Sequence, residues 1–222
     1  MSYNVRRLRL ASLLPILLLA ACATNRSYIT LPVPGAGAVV SNGDKIAVIE
    51  RIDDARDFQE DPDDPSTPSL KKGDKYALDA EGRKSAIARK RNGYGMAIGD
   101  IQLQPPQTVV SITRDLVASG LRQRGYRVLE DGVAAPADAL HVGVDIKEFW
   151  AWLTPGFWAI DMEAKVKTSM KFSGSSDQTV EVAAYGRKTA PTGREDNWKQ
   201  AYDRVFEDYL AKQKAAFDQA GL

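Results

Sequence analysis

The sequence predicts an α+β fold, a two-layer sandwich with a mostly antiparallel sheet covered on one face by helices. Three patterns predict it. From 140 to 187, apolar and polar residues alternate through three runs, as in a meander with one dry and one wet face. From 107 to 124, apolar residues return at three- and four-residue steps. From 195 to 220, a second helical stripe carries much of the aromatic content.

The chain opens with Arg6, Arg7 and Arg9 and no acid, followed by an apolar run from Leu10 to Leu19 and then Ala20-Ala21-Cys22. This order is that of a secretory signal peptide. The charge-free run from Leu10 to Thr24 is shorter than the ~20 residues a spanning helix needs, and Pro15 interrupts it. Leu19-Ala20-Ala21-Cys22 resembles the lipobox of bacterial lipoproteins, and Cys22 is the sole cysteine. That resemblance implies cleavage after residue 21 and a diacylglycerol on the Cys22 thiol. Ala23 stands where an Asp would signal inner-membrane retention, so the expected address is the outer membrane, periplasm-facing. A lone cysteine also leaves the fold to rest on its core rather than on disulfides.

Cleavage would leave 201 residues with 27 basic and 29 acidic side chains, a net charge of −2. Nucleic-acid binding needs a basic face, so it is not expected. Residues 22–43 hold Pro32, Pro34, Gly35, Gly37 and Gly43 without apolar periodicity. They are expected to be a lipidated flexible tether. A single periplasmic domain is expected over 44–222.

Within that domain, Lys45 to Ile52 reads as a strand with Ile46, Val48 and Ile52 on one face. An acidic, proline-rich loop follows, about 53–72, whose low hydrophobicity predicts disorder. Its carboxylates lack the ordered spacing and turn glycine of an EF-hand calcium loop. Ser85 to Met96 reads as a hairpin around Asn92-Gly93. Arg89-Lys90-Arg91 could meet phosphates, but is the composition of a solvated edge.

The first helix carries Val109, Ile112, Leu116, Val117 and Leu121, with Pro105-Pro106 before it and Gly125 after it. Tyr126 to Leu129 is a short strand. In the meander, Leu140, Val142, Val144 and Ile146 alternate with His141, Gly143, Asp145 and Lys147. After a turn at Thr154-Pro155-Gly156, Ile160, Met162, Ala164, Val166, Met170 and Phe172 continue the pattern, then Val180, Val182 and Ala184. Avoidance of like charges sets Asp145 opposite Lys165, Lys147 opposite Glu163 and Lys171 opposite Glu181. That register also sets Trp152 opposite Trp158 and Trp150 opposite Ile160. The final helix presents Trp198, Ala201, Tyr202, Val205, Phe206, Tyr209 and Leu210 as one stripe.

The layout resembles the YajG family of bacterial lipoproteins. The features that carry it are the lipobox at Cys22 and a strand running into Asp54-Ala55-Arg56. The first helix ends Leu121-Arg122-Gln123-Arg124-Gly125-Tyr126-Arg127-Val128, and Ala137-Asp138-Ala139-Leu140 opens a long strand. The resemblance implies an outer-membrane lipoprotein and brings no catalytic residues.

The residues do not ask for catalysis. His141 is the one histidine, and Asp145 lies ~13 Å along the same strand, too far to pair with it there. No nucleophile elbow or dinucleotide fingerprint is present, and no catalytic, metal or cofactor site is expected. Two functions remain open. One is a non-enzymatic binding or structural module with an envelope protein partner. The other is an accessory of lipid or lipopolysaccharide transport that carries an acyl ligand. Trp150, Trp152, Phe157 and Trp158 cluster about one hairpin tip. Clustered aromatics favour the binding module and make these four the candidate partner-contact residues. The alternative reading is that Trp150, Trp152 and Trp158, all at even positions, continue the core face of this strand pair and are covered by a helix.

Overall fold

The computed structural model describes residues 26–36, 45–70, 77–92, 94–129, 133–174 and 177–222. The expected signal peptide and Cys22 lie outside the described residues. In chain order the elements are β1 (Ser27–Ile29), β2 (Ile46–Asp54), α1 (Ala80–Ser85), β3 (Ala86–Arg91) and β4 (Ala97–Leu103). Then come α2 (Val109–Gln123), β5 (Arg127–Leu129), β6 (Leu140–Pro155), β7 (Ile160–Ser173), β8 (Gln178–Ala190) and α3 (Glu195–Ala220).

The long strand β6 organises one eight-stranded sheet. One edge of β6 pairs antiparallel with β7, and β7 with β8, giving the predicted meander. The other edge is shared. Its first half takes β2 in parallel, with β5 parallel outside β2. Its second half meets β3 in parallel at Ala88 opposite Ala151, with β4 antiparallel to β3 and β1 parallel to β4. Most of the ladder is antiparallel, as the alternation predicts. The parallel pairings connect segments far apart in sequence and leave no local signature.

Both long helices pack against this sheet, α3 on β7 and β8 and α2 on β2 and β5. Thr108 and Ser111 cap α2 reciprocally, the Thr108 hydroxyl accepting from the Ser111 N–H at 3.0 Å and the Ser111 hydroxyl from the Thr108 N–H at 2.9 Å. Trp198, Ala201, Tyr202, Val205, Phe206, Tyr209 and Leu210 are all buried on α3, as their spacing predicts. The helix comes close to β8 at Gly186, where a Cβ would lie 2.4 Å from the Ala201 carbonyl oxygen. Only glycine fits that approach.

Several expectations are corrected. Residues 26–36 are not a free tether: β1 adds to β4, and Ile29, Leu31 and Val33 are buried. Their alternation is only three residues deep, too short to read through the surrounding prolines and glycines. The hairpin around Asn92 runs from 86 to 103, with β4 following the segment assigned to it. On β2 the buried face is Ala47 and Ile49 rather than Ile46 and Val48, and a bulge at Glu50 then turns Ile52 toward the same core.

The meander registers also differ. Asp145 stands opposite Ser169, Trp150 opposite Lys165, Trp152 opposite Glu163 and Lys171 opposite Thr179. Pro155 is the last residue of β6 and pairs with Ile160, so the turn is Gly156 to Ala159 and not Thr154 to Gly156. A cross-strand charge pair is worth only ~0.2–1 kcal/mol. That is less than the burial of one aromatic ring, which decides the register here. A bulge at Lys147 adds one unpaired residue to β6, so from Phe149 onward the odd positions face the main core.

Candidate aromatic contact end

The four aromatics read as contact residues divide into a buried pair on β6 and an exposed pair in the turn, and the phase change at Lys147 sets the face of the buried pair. Phe149 and Ala151 continue the main core, while Trp150 and Trp152 turn to the opposite face. There they form a second small core with Leu78 and Ala86, against which Phe58 and Leu70 pack. Trp150 is 1% exposed and Trp152 7%. The Trp152 ring also lies under the Lys165 ammonium, 5.3 Å from its centroid. These two tryptophans therefore serve packing, and the contact role expected of them does not fit their burial.

The cover of this second core is the acidic loop. Its sequence predicts disorder, yet its ends are held. Gln59 bridges Ser69, and Phe58 meets Trp150 edge-on with centroids 5.9 Å apart. Arg56 fixes the start. Its guanidinium donates to both Asp54 carboxylate oxygens at 2.7 Å and to the carbonyls of Ala86 (2.7 Å), Phe149 (3.1 Å) and Arg83 (2.6 Å). All five N–H donors are used, and the side chain is fully buried.

The basic run Arg89-Lys90-Arg91 is neither a solvated edge nor a phosphate site. Arg89 is buried, donating to the Ser69 hydroxyl at 3.1 Å and carbonyl at 2.7 Å. Buried Lys90 donates to the Ser27 hydroxyl at 2.7 Å. Arg91 donates to the carbonyls of Gly95 and Pro62, at 2.8 and 3.3 Å. Thus Asp61, Pro62 and Asp63 line a cleft of about 320 Å³ with Arg91, Tyr94, Gly95 and Met96.

Phe157 and Trp158 behave differently. They occupy the middle of the β6–β7 turn, which the Gly156 N–H closes by donating to the Ala159 carbonyl at 2.8 Å. Both side chains are 88% exposed, and their rings meet edge-on at 4.6 Å. Because β3 runs parallel to β6, the β3–β4 turn leaves the sheet at the same end. That turn carries Tyr94, 91% exposed, and Met96, 55% exposed. Asn92 shapes it, its side-chain oxygen accepting from the N–H groups of Tyr94 and Met96, both at 3.0 Å. Two adjacent turns thus present four large apolar side chains at one end of the sheet. Tyr94 and Met96 were missed as contact residues because only the parallel β3–β6 pairing brings them there.

The polar surface near this end is internally matched. Arg187 pairs with Asp161 at 2.9 Å, and the Tyr185 hydroxyl donates to Glu163 at 2.5 Å. Burial, then this hydrogen bond, pushes the Tyr185 phenol up to about 12. It therefore stays protonated at neutral pH. His141 sits on the wet face of β6, as predicted, with Nδ1 2.6 Å from Glu50. Among the described residues no three His, Cys, Asp or Glu side chains gather as metal ligands. No described helix is long and apolar enough to cross a membrane.

The structure thus defines an α+β domain with an exposed aromatic end. No family model matches the chain, and no curated protein matches it. A solved Xanthomonas campestris protein of family DUF330 is similar with a TM-score of 0.42 and 7% identity, over 88% of this chain and 97% of that one. A second, uncharacterized protein gives 0.41 and 9%, over 88% and 98%.

Proposed function

We propose that the protein is a lipid-anchored envelope module of the outer membrane, non-enzymatic, acylated at Cys22 and facing the periplasm. Its aromatic end contacts another component of the envelope. The observation that carries the contact surface is the exposure of Phe157, Trp158, Tyr94 and Met96 on two adjacent turns. Isolated apolar side chains on a surface are ordinary, but four large ones together mark a contact site. The anchor rests on the order of charge, apolar run and small residues before Cys22. The resemblance to the YajG lipoproteins supports the same reading.

A carrier of acyl chains would need an apolar cavity. The cleft beside Tyr94 has Asp61, Asp63 and Arg91 in its lining, which does not suit an acyl ligand. The test is metabolic labelling with radioactive palmitate in a bacterial host, followed by membrane fractionation. The wild-type chain should take up label and sediment with outer membranes. Cys22→Ser should do neither. Label in the serine variant, or an unlabelled wild type, would overturn the anchor.

A further inference from the structure

We propose that the aromatic end of the sheet rests on the bilayer that holds the anchor, with Phe157, Trp158, Tyr94 and Met96 at the boundary between headgroups and acyl chains. The inference rests on acylation of Cys22 and deepens that reading by naming what the exposed end touches.

Arg26 ties the start of β1 to the sheet. Its guanidinium grips Asp100 through two hydrogen bonds, Nε to Oδ1 at 2.8 Å and Nη2 to Oδ2 at 2.9 Å. The next residue, Ser27, is paired with Ile101. The chain is therefore fixed to the sheet only four residues after Cys22. Four extended residues span at most ~14 Å. No long tether can lift the domain off the membrane.

The direction is equally defined. β1 runs parallel to β4, and β4 begins at the turn that carries Tyr94 and Met96. Followed backward from Ser27, β1 points toward that turn. Asp100 is paired with Arg89, next to Ala88, which stands opposite Ala151. Arg26 is thus roughly level with Trp152. From there to Phe157 is five residues, ~17 Å at strand rise. The farthest point Cys22 can reach lies about level with the aromatic turn or short of it. With acyl chains on Cys22 inserted, the turn meets the bilayer.

The chemistry of the end suits that position. Tryptophan and tyrosine favour the membrane interface, where an apolar ring and a polar tip are both satisfied. The flanking charges are mixed, with Arg91 beside Asp61 and Asp63. Contact should therefore depend on apolar insertion more than on anionic headgroups.

The experiment uses the full lipidated protein, reconstituted in vesicles of phosphatidylethanolamine and phosphatidylglycerol doped with dibrominated phosphatidylcholine. Bromine on the acyl chains quenches tryptophan only at close range. Trp150, Trp152 and Trp198 are buried, so the loss of quenching in Trp158→Phe reports Trp158 alone. Wild type should be strongly quenched, and Trp158→Phe should lose most of that quenching. A benzoylphenylalanine at position 158 should crosslink to phospholipid in cells. Palmitate-labelled protein whose Trp158 is not quenched would overturn the orientation while leaving the anchor standing. A discrete protein adduct from position 158, without lipid quenching, would assign the end to a protein partner instead. Absence of palmitate from the wild type would remove the anchor reading itself.

Discussion

Phe149 and Trp150 are neighbours in the chain and belong to different cores. The Phe149 ring stacks on Tyr202 of α3 with centroids 5.4 Å apart, while Trp150 meets Phe58 of the acidic loop on the other side of the sheet. Adjacent strand residues always point to opposite faces. Here both faces are covered, and the bulge at Lys147 decides which ring goes where.

Deleting Lys147 should be tolerated. Without the extra residue, Ile146 opposite Thr168 is followed directly by Glu148 opposite Lys167, so Phe149 still faces α3 and Trp150 still faces the loop. The deletion removes the bulge and one exposed side chain 3.5 Å from Asp145. Urea unfolding followed by circular dichroism should show a cooperative transition and a loss of no more than ~0.5–3 kcal/mol, the ordinary range for a single change. Lys147→Ala, which keeps the bulge, should change stability by less than ~0.5 kcal/mol. A deletion variant that loses the ~3–5 kcal/mol expected for each displaced buried aromatic, or that has no cooperative transition, would refute this register.

The second core is also held by Arg56. Its five donors join the end of β2, the start of β3, the middle of β6 and the end of α1. Lysine carries only three donors and no planar fork. Arg56→Lys should thus destabilise nearly as much as Arg56→Ala, each by ~3–5 kcal/mol, since both leave Asp54 or buried carbonyls without partners. The same denaturation assay measures this. A lysine variant as stable as wild type would show the bidentate geometry to be dispensable.

The parts of this fold visible in the sequence are those built from local periodicity. The stripe from Trp198 to Leu210 and the runs through Val142, Ala164 and Val182 needed only spacing. The parts that were hidden arise where one residue changes phase or where distant segments meet. Lys147 and Glu50 look like ordinary wet-face residues, yet each is an unpaired residue that turns a strand over. Asp54-Ala55-Arg56 stood out only as a carrier of the family resemblance. Its structural role required knowing that Ala86 and Phe149 lie beside it. Of the contact end, Phe157 and Trp158 were legible from the turn, while Tyr94 and Met96 depend on one parallel pairing between β3 and β6.

The four tryptophans should separate cleanly by environment. Trp150→Ala should cost ~3–5 kcal/mol, as buried aromatic deletions do, and Trp158→Ala less than ~0.5 kcal/mol. In detergent-free protein made without residues 1–22, iodide should quench Trp158 and leave Trp150 and Trp198 untouched. Equal quenching of wild type and Trp158→Phe would mean that the turn is shielded and not a surface.

The attachment of β1 should make stability depend on acid. Glu195, at the start of α3, accepts from the Ser27 hydroxyl at 2.7 Å and lies 3.9 Å from the Lys90 ammonium. The hydrogen bond from Ser27 first, and Lys90 among lesser contributions, hold the Glu195 carboxyl below its usual range. A depressed carboxyl favours the folded state in its ionised form. Its contribution is complete above the unfolded value near 4.5 and is lost as pH falls through the lower folded value. Asp64, Asp145 and Asp208 are also held low and act with the same sign, whereas burial raises Asp115 and Asp203, which act oppositely. The whole-protein pH curve is therefore a sum, and a difference is needed to isolate one group. Glu195→Gln keeps an acceptor for Ser27 but has no charge to lose. Wild type should be more stable than Glu195→Gln at pH 7, and the gap should close as pH falls below about 4.5. Parallel urea titrations of the two proteins from pH 7 to pH 3 measure that gap. A constant gap across the range would mean that the ionisation of Glu195 does not support the contact between β1 and α3.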